Sequence, residues 1–491
     1  MQKKAIIIGS GVAGLSCAIR LAVQGYAVKV FEKNSCPGGK IAILKKENYQ
    51  FDAGPSLFTQ PQNIEELFTL AGEPMAEYFS YQKIPIVCKY FYEDTKVINA
   101  YSDTNLFAKE IQEQLGEKSK TIIGYLKKSE NLYNHIGSIF LNHSLHKRKT
   151  WLHKRIFKAL QFAKPIYLFK TLHHYNSTQF SNPDTVQLFN RYATYNGSNP
   201  YKAPAMLSLI PQLEYNQGVF YPKGGMISIA NALYKLALKK GVELNFNAPV
   251  QRIINTSGKV KGIVVNNKNI VADIVVSNMD VYFTYKNLLL DEIKAKKILQ
   301  QERSSSALIF YWGIKKEFKQ LELHNIFFTK NYQAEFEHIF LKRDLYPDPT
   351  IYINITAKIE QGHALPGCEN WFVMINVPAN KNQDWELLKA QAKENILKKL
   401  NNILQTDIES LIEVEEILDP VLIEEQTASF MGSLYGTSSN STFAAFFRHP
   451  NFTKKIKGLY FCGGSVHPGG GIPLCFKSAK IVSELIQHDY K

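Results

Sequence analysis

The first forty residues contain the pattern that most limits what this chain can fold into. Lys4-Ala5-Ile6-Ile7-Ile8 leads without interruption into Gly9-Ser10-Gly11-Val12-Ala13-Gly14. An apolar run before glycines in Gly-x-Gly-x-x-Gly spacing, then small and apolar residues at helical period, predicts a strand, a tight turn and a helix over residues 12 to about 24. A second strand, Ala27–Phe31, then delivers an acid at Glu32, with Lys33 beside it. This order of elements binds a dinucleotide. Gly9 permits the turn, Gly11 admits a pyrophosphate against the backbone, and Gly14 lets helix and strand pack closely. The helix N-terminus offers free N–H groups and positive dipole to phosphate, and Glu32 stands where a carboxylate accepts ribose hydroxyls. A glycine-rich turn with no ligand is the competing reading; the strand before, the helix after and the spaced acid argue against it.

At 491 residues the chain exceeds what one hydrophobic core usually organises, so two domains are expected. The nucleotide domain is assigned to residues 1–90, 220–286 and 415–491, and a substrate and membrane-associated domain to 91–219 and 287–414. With 45% apolar and 21% charged residues the composition is that of a globular protein. Six cysteines without C-x-x-C or metal-like spacing suit a reducing cytosol and no metal. The basic start resembles a signal peptide, but its apolar run ends at Ile8, so no export is expected. Nowhere do eighteen consecutive apolar residues occur, which argues against a spanning helix.

Along the chain, residues 103 to about 143 read as helical, and residues 242–246, 250–255, 259–265 and 270–276 as strands. Asp52-Ala53-Gly54-Pro55-Ser56 places a rigid bend just after a strand, where backbone can lie against a flat ligand. Near the end, Gly458-Leu459-Tyr460-Phe461-Cys462-Gly463-Gly464 continues through Ser465-Val466-His467-Pro468-Gly469-Gly470-Gly471-Ile472-Pro473 into a helix from about residue 474 to 488. This is a second ligand-facing turn before a helix N-terminus. No second Gly-x-Gly-x-x-Gly follows a strand, which argues against a separate nicotinamide domain.

The net charge of +15 is unevenly spread. Between Asn131 and Pro183 there is no acid, while Lys147, Arg148, Lys149, Lys154, Arg155, Lys158, Lys164 and Lys170 are interleaved with Trp151, Leu152, Ile156, Phe157, Leu160, Phe162, Ile166, Tyr167, Leu168 and Phe169. Large apolar groups among cations suit a surface resting on anionic lipid. A single-strand nucleic-acid groove and a solvated basic face are the other readings of the same composition; the assignment made is the membrane, with no nucleic-acid partner.

Five blocks, Gly9 to Gly39, Phe51 to Pro55, Tyr221 to Gly225, Pro366 to Asn370 and Gly463 to Pro473, resemble the bacterial-type carotenoid and phytoene desaturases in register from end to end. The loop Gly463-Gly464-Ser465-Val466-His467-Pro468-Gly469 looks most like that of the 1-hydroxycarotenoid 3,4-desaturases within that family. The resemblance implies an α/β fold: an FAD-binding, Rossmann-like domain of the GR2 or amine-oxidase type, interleaved with an α+β substrate domain and a helical membrane-facing subdomain. It implies non-covalent FAD, with Gly9, Gly11 and Gly14 at the pyrophosphate, Glu32 at the adenosine ribose, Gly38, Gly39 and Lys40 at the phosphates, and Lys33 also among the cofactor-binding residues. Gly54, Pro55 and Ser56 would lie at the flavin, the Val250 backbone at the adenine, and Gly463, Gly464, Gly471 and Ile472 along the ribityl chain and isoalloxazine. Lys40 stands where the family usually has Arg, a point charge in place of a fork of donors.

The implied reaction sends an allylic hydride of a long polyene to flavin N5 and releases the neighbouring proton, in an apolar tunnel that excludes water. His467 is the candidate to help take that proton, against a purely loop-organising role. A substrate hydroxyl would call for a polar partner at the tunnel end. The partners expected are a carotenoid and an anionic membrane, with the protein cytoplasmic and peripheral on the inner face of the cell membrane. A phytoene or related desaturase is the second enzyme reading, and a non-redox prenyl-lipid carrier of the GDP-dissociation-inhibitor type is the reading from another class.

Overall fold

The computed structural model describes residues 2–151, 159, 162 and 164–490. A five-stranded parallel sheet takes its strands from distant parts of the chain, in the order Glu243–Asn245, Ala27–Phe31, Lys4–Ile8, Ile274–Ser277, Leu459–Phe461. Strands covered on both faces need apolar residues throughout, and Ala5 to Ile8 are all buried. Ala5 and Ile7 pack with the helices Val12–Val23, Ile227–Lys239 and Ile472–Tyr490 on one face. On the other, Ile6 and Ile8 meet an antiparallel meander of Val250–Thr256, Lys259–Val265 and Lys268–Val271. Gly14 makes the first helix possible, because a Cβ there would stand 2.1 Å from the Gly9 carbonyl oxygen.

A seven-stranded sheet forms the other half, ordered Ile412–Leu418, Ser306–Ile314, Glu369–Val377, Ile351–Ile355, His324–Phe327, Ile86–Phe91, Val97–Tyr101. The helix Trp385–Leu404 covers one face through Trp385, Ile396 and Leu400. On the face toward the first sheet, Ala307, Ile309, Tyr311 and Phe372 pack against Tyr49 and Phe51 of the hairpin Ile43–Lys46 and Tyr49–Asp52. Helices drawn from residues 104–215 build a third layer, with Phe107, Phe189 and Tyr192 fully buried.

Several boundaries differ from the sequence reading. The apolar stretch 270–276 is two strands in two sheets, Lys268–Val271 in the meander and Ile274–Ser277 in the parallel sheet. The break comes at Asp273, whose N–H donates to the Lys4 carbonyl and whose carboxylate accepts from the Lys4 N–H, each at 2.9 Å. The C-terminal helix starts at Ile472 rather than near 474, with Pro473 in its first turn, where no N–H is needed. The helical stretch 103–143 is broken at Gly116, which ends Thr104–Leu115 at φ 73° before Ser119–Leu132 begins. The strand Ile86–Phe91 belongs to the seven-stranded sheet, although the boundary at residue 90 left most of it on the nucleotide side. Leu152, Lys154, Arg155, Ile156, Phe157, Lys158 and Leu160 of the basic segment lie outside the described residues. Among the described residues no helix is long and apolar enough to cross a membrane.

Candidate functional site

The two glycine turns lie at the same edge of the parallel sheet, beyond the carboxyl ends of strands Lys4–Ile8 and Leu459–Phe461, where open α/β sheets bind ligands. Asn278, at the end of the strand between them, joins the two. Its Oδ1 accepts from the Gly14 N–H at 3.2 Å, satisfying a donor of the helix N-terminus, and its Nδ2 donates to the Cys462 carbonyl at 3.1 Å. A Cβ at Gly11 would come within 2.8 Å of Asn278 Oδ1, and one at Gly463 within 2.5 Å of Nδ2. Glycine at both positions is thus the condition for this bridge. Sequence reasoning did not single out Asn278; the signal was its place just after the apolar run Ile274-Val275-Val276.

Gly38 pairs with Gly11, and a Cβ at Gly39 would meet the Gly11 Cα at 3.1 Å, so Gly38, Gly39 and the first turn form one backbone cradle. Glu32 is buried at its rim. One carboxylate oxygen accepts from Ser10 N–H (2.7 Å) and Ser10 Oγ (2.9 Å), the other from Asn34 N–H (3.0 Å). A carboxylate has about four acceptor sites, so capacity remains for a ribose hydroxyl. Ala248 N–H donates to the Glu32 carbonyl at 2.8 Å, which brings the start of strand Val250–Thr256 to the same rim. Lys33 points elsewhere and donates to the Glu425 carbonyl at 2.9 Å.

Lys40 donates to the Leu434 carbonyl at 2.9 Å, and burial holds its ammonium below the usual lysine range against the opposing pull of Asp280. Lys40 keeps accessible surface, and Tyr352 and Tyr435 are half-buried. Gly54 packs against the Lys40 backbone, where a Cβ would stand 1.9 Å from the Lys40 carbonyl oxygen. Next to Pro55, Ser56 Oγ hydrogen-bonds Tyr352 OH at 2.8 Å, and Tyr352 OH bonds His324 Nδ1 at 2.7 Å.

At the second turn, Gly464 lies against Gly470, where a Cβ would stand 3.3 Å from the Gly470 Cα, Gly471 is open, and Ile472 starts the last helix. His467 is buried. Its Nε2 bonds the His143 carbonyl at 2.9 Å, and its own carbonyl accepts from Asn451 Nδ2 at 2.7 Å and Ser478 Oγ at 3.1 Å. Burial pushes its pKa down to about 4.

A backbone cradle at a helix N-terminus, a rim carboxylate and a second glycine turn bridged to the first by Asn278 fit a dinucleotide. They define an FAD-dependent oxidoreductase. The chain belongs to the flavin-containing amine oxidoreductase family, whose model matches residues 12–487. It is 51% identical over 485 residues to 1-hydroxycarotenoid 3,4-desaturase from Flavobacterium sp. (strain P99-3), covering 99% of each chain. To 4,4'-diapolycopene oxygenase from Methylomonas sp it is 33% identical over 494 residues, again 99% of each. Among solved structures, putrescine oxidase bound to putrescine shares the fold with a TM-score of 0.64 at 12% identity, over 99% of both chains.

Proposed function

We propose that this protein is an FAD-dependent desaturase that introduces a C3–C4 double bond into 1-hydroxy carotenoids. The observation that carries the reading is the end-to-end identity of 51% with a 1-hydroxycarotenoid 3,4-desaturase. In the same reading Gly9, Gly11, Gly14, Gly38, Gly39 and Lys40 take the pyrophosphate, Glu32 the ribose, and the backbone at Val250 the adenine. Gly54, Pro55, Ser56, Gly463, Gly464, Gly471 and Ile472 take the ribityl chain and ring. Bound FAD supplies a two-electron acceptor for a hydride from one of the two carbons, while the other releases a proton and the double bond forms between them.

The rest falls to the chain's own residues. A hydroxyl on C1 is only two carbons from C3, so its polar partner belongs beside the reacting bond rather than at a remote tunnel end. Ser56, Tyr352 and His324 answer that need. Burial holds His324 neutral, with a pKa near 3. Asn354 Nδ2 donates to His324 Nδ1 at 3.1 Å, which makes that nitrogen an acceptor. Tyr352 then donates to His324, Ser56 donates to Tyr352, and a Ser56 lone pair remains for the substrate hydroxyl. His467, bonded to a backbone carbonyl, is assigned to organising its loop.

The partner surface in this reading is an anionic membrane, met from the cytoplasmic side. Phe443 (72% exposed) and Phe169 (82%) are bare, and Phe447 stacks on both Phe443 and Trp151. The helix Thr442–Phe446 reaches the basic segment through Thr442, whose hydroxyl donates to the Leu168 carbonyl. The test is direct: full-length protein is purified, its flavin bands recorded, and a 1-hydroxy carotenoid supplied in anionic liposomes. A product with one more double bond is expected. Equal turnover of phytoene would instead make it a phytoene-type desaturase, and a colourless protein that takes up no FAD would make it a carrier.

A further inference from the structure

Four arginines are buried among the described residues, and three of them are paired. Arg20 meets Glu66, Arg191 meets Glu214, and Arg448 donates to the Tyr435 carbonyl and Ser439 Oγ. The fourth, Arg303, is 5% exposed, and none of its three side-chain nitrogens has a hydrogen-bond partner. Its guanidinium lies over the Phe430 ring at 4.6 Å, and Phe430 stacks on Tyr282 at 3.6 Å. An aromatic face steadies the cation but satisfies none of its donors. Burying a guanidinium with every donor unmet is strongly unfavourable, so the position calls for an anion.

The surroundings say which anion. Arg303 enters strand Ser306–Ile314 beside the segment that holds Lys40: Ser304 N–H donates to the Gly436 carbonyl at 2.9 Å and Leu434 N–H to the Ser305 carbonyl at 3.2 Å, while Lys40 donates to the Leu434 carbonyl at 2.9 Å. Both cations feel the same carboxylate, Asp280. One oxygen of Asp280 already accepts from the Tyr282 N–H at 2.8 Å, and Asp280 stands two residues beyond Asn278, the side chain that joins the glycine turns. Arg303 also faces the Glu424 carboxylate and has Arg448 as a neighbouring cation, so Lys40, Arg303 and Arg448 stand against Asp280 and Glu424 with positive charge in excess. Lys40 brings a single point charge; Arg303 brings a planar fork matched to two phosphate oxygens.

We propose that Arg303 is a cofactor-binding residue, its guanidinium paired with the pyrophosphate of FAD alongside Lys40. The inference rests on the FAD site described above, and the experiment separates the two. Full-length protein freed of flavin is titrated with FAD, following quenching of flavin fluorescence, as wild type, Arg303→Met and Arg303→Lys. Melting temperature is recorded for each without flavin and with saturating FAD. Arg303→Met is expected to raise the Kd for FAD about tenfold or more, the loss of one charge-assisted contact. Arg303→Lys, which keeps the charge and loses the fork, falls between. Without flavin, Arg303→Met melts no lower than wild type, because it sheds an unpaired buried charge, and FAD raises its melting temperature less. An unchanged Kd in Arg303→Met overturns the proposal, and so does a flavin-free variant that melts well below wild type, since that marks a structural arginine. Wild type that fails to bind FAD would remove the flavin site itself.

Discussion

Tyr352 and Asp52 each turn a local environment into a measurable consequence. Tyr352 links Ser56 to His324, and the substitution Tyr352→Phe removes the shared hydroxyl, leaving the link broken at both ends. A site built to hold a substrate hydroxyl discriminates through such bonds. Turnover of a 1-hydroxy carotenoid by Tyr352→Phe is expected to fall about tenfold or more in kcat/KM, the worth of one hydrogen bond to a buried partner. The variant's flavin content should be unchanged, and an equal loss with a carotenoid lacking the hydroxyl would refute the role. Asp52, which ends the strand before Ala53-Gly54-Pro55, is buried, accepts from Tyr221 OH at 2.9 Å and Met226 N–H at 3.0 Å, and has its pKa pushed up to about 6 by burial. A carboxyl whose folded pKa lies above its unfolded value of about 3.9 binds its proton more tightly when folded. Its contribution is therefore complete below about pH 4 and lost as pH rises through 6. Asp52→Asn should become more stable relative to wild type across that window, by up to about 3 kcal/mol for a shift of about two units, in urea unfolding at stepped pH. A flat difference would show that Asp52 ionises freely in the fold.

Single elements show what holds the two turns together. Strand Ile274–Ser277 separates the strands that carry them, and Asn278 at its end is tied to Gly14 on one side and Cys462 on the other. Asn278→Ala breaks both bonds and leaves the Gly14 N–H and Cys462 carbonyl unpartnered, a cost of about 1–3 kcal/mol for each one that stays buried. We expect weaker FAD retention on gel filtration and a lower melting temperature in the flavin-free chain as well, in contrast to Arg303→Met. The first turn was legible in the sequence because its parts are neighbours: glycine spacing, helix period and the acid at Glu32 all fall within one strand–helix–strand unit. Asn278, Arg303 and the Ser56–Tyr352 bond were not, because each acts on a partner far along the chain, and no local pattern marks a side chain whose meaning is supplied by another sheet. The stretch 270–276 was misread for a related reason: its apolar residues run on, and only the pairing of Asp273 with Lys4 shows where one sheet stops and the other starts. Lys33, expected among the cofactor-binding residues, has its side chain on the Glu425 carbonyl, a partner equally remote in the chain.

At the scale of the whole molecule, the bare aromatic side chains gather where residues 442–447 approach the basic segment. Trp151, Phe169, Phe443 and Phe447 are exposed among Lys147, Arg148, Lys164 and Lys170, a composition for interfacial lipid. The double variant Phe443→Ser/Phe447→Ser should float less with anionic vesicles while keeping its flavin spectrum; unchanged flotation would detach this patch from the membrane. The parallel sheet has a further consequence, for the making of the protein. Its outer strand Leu459–Phe461, with the helix Ile472–Tyr490 that packs on Val12–Val23, comes from the far end of the chain. A ribosome therefore releases the turn at Gly9 to Gly14 well before the turn at Gly463 to Gly471, so the nascent polypeptide carries one wall through the synthesis of everything between them before its coenzyme has a second to settle against.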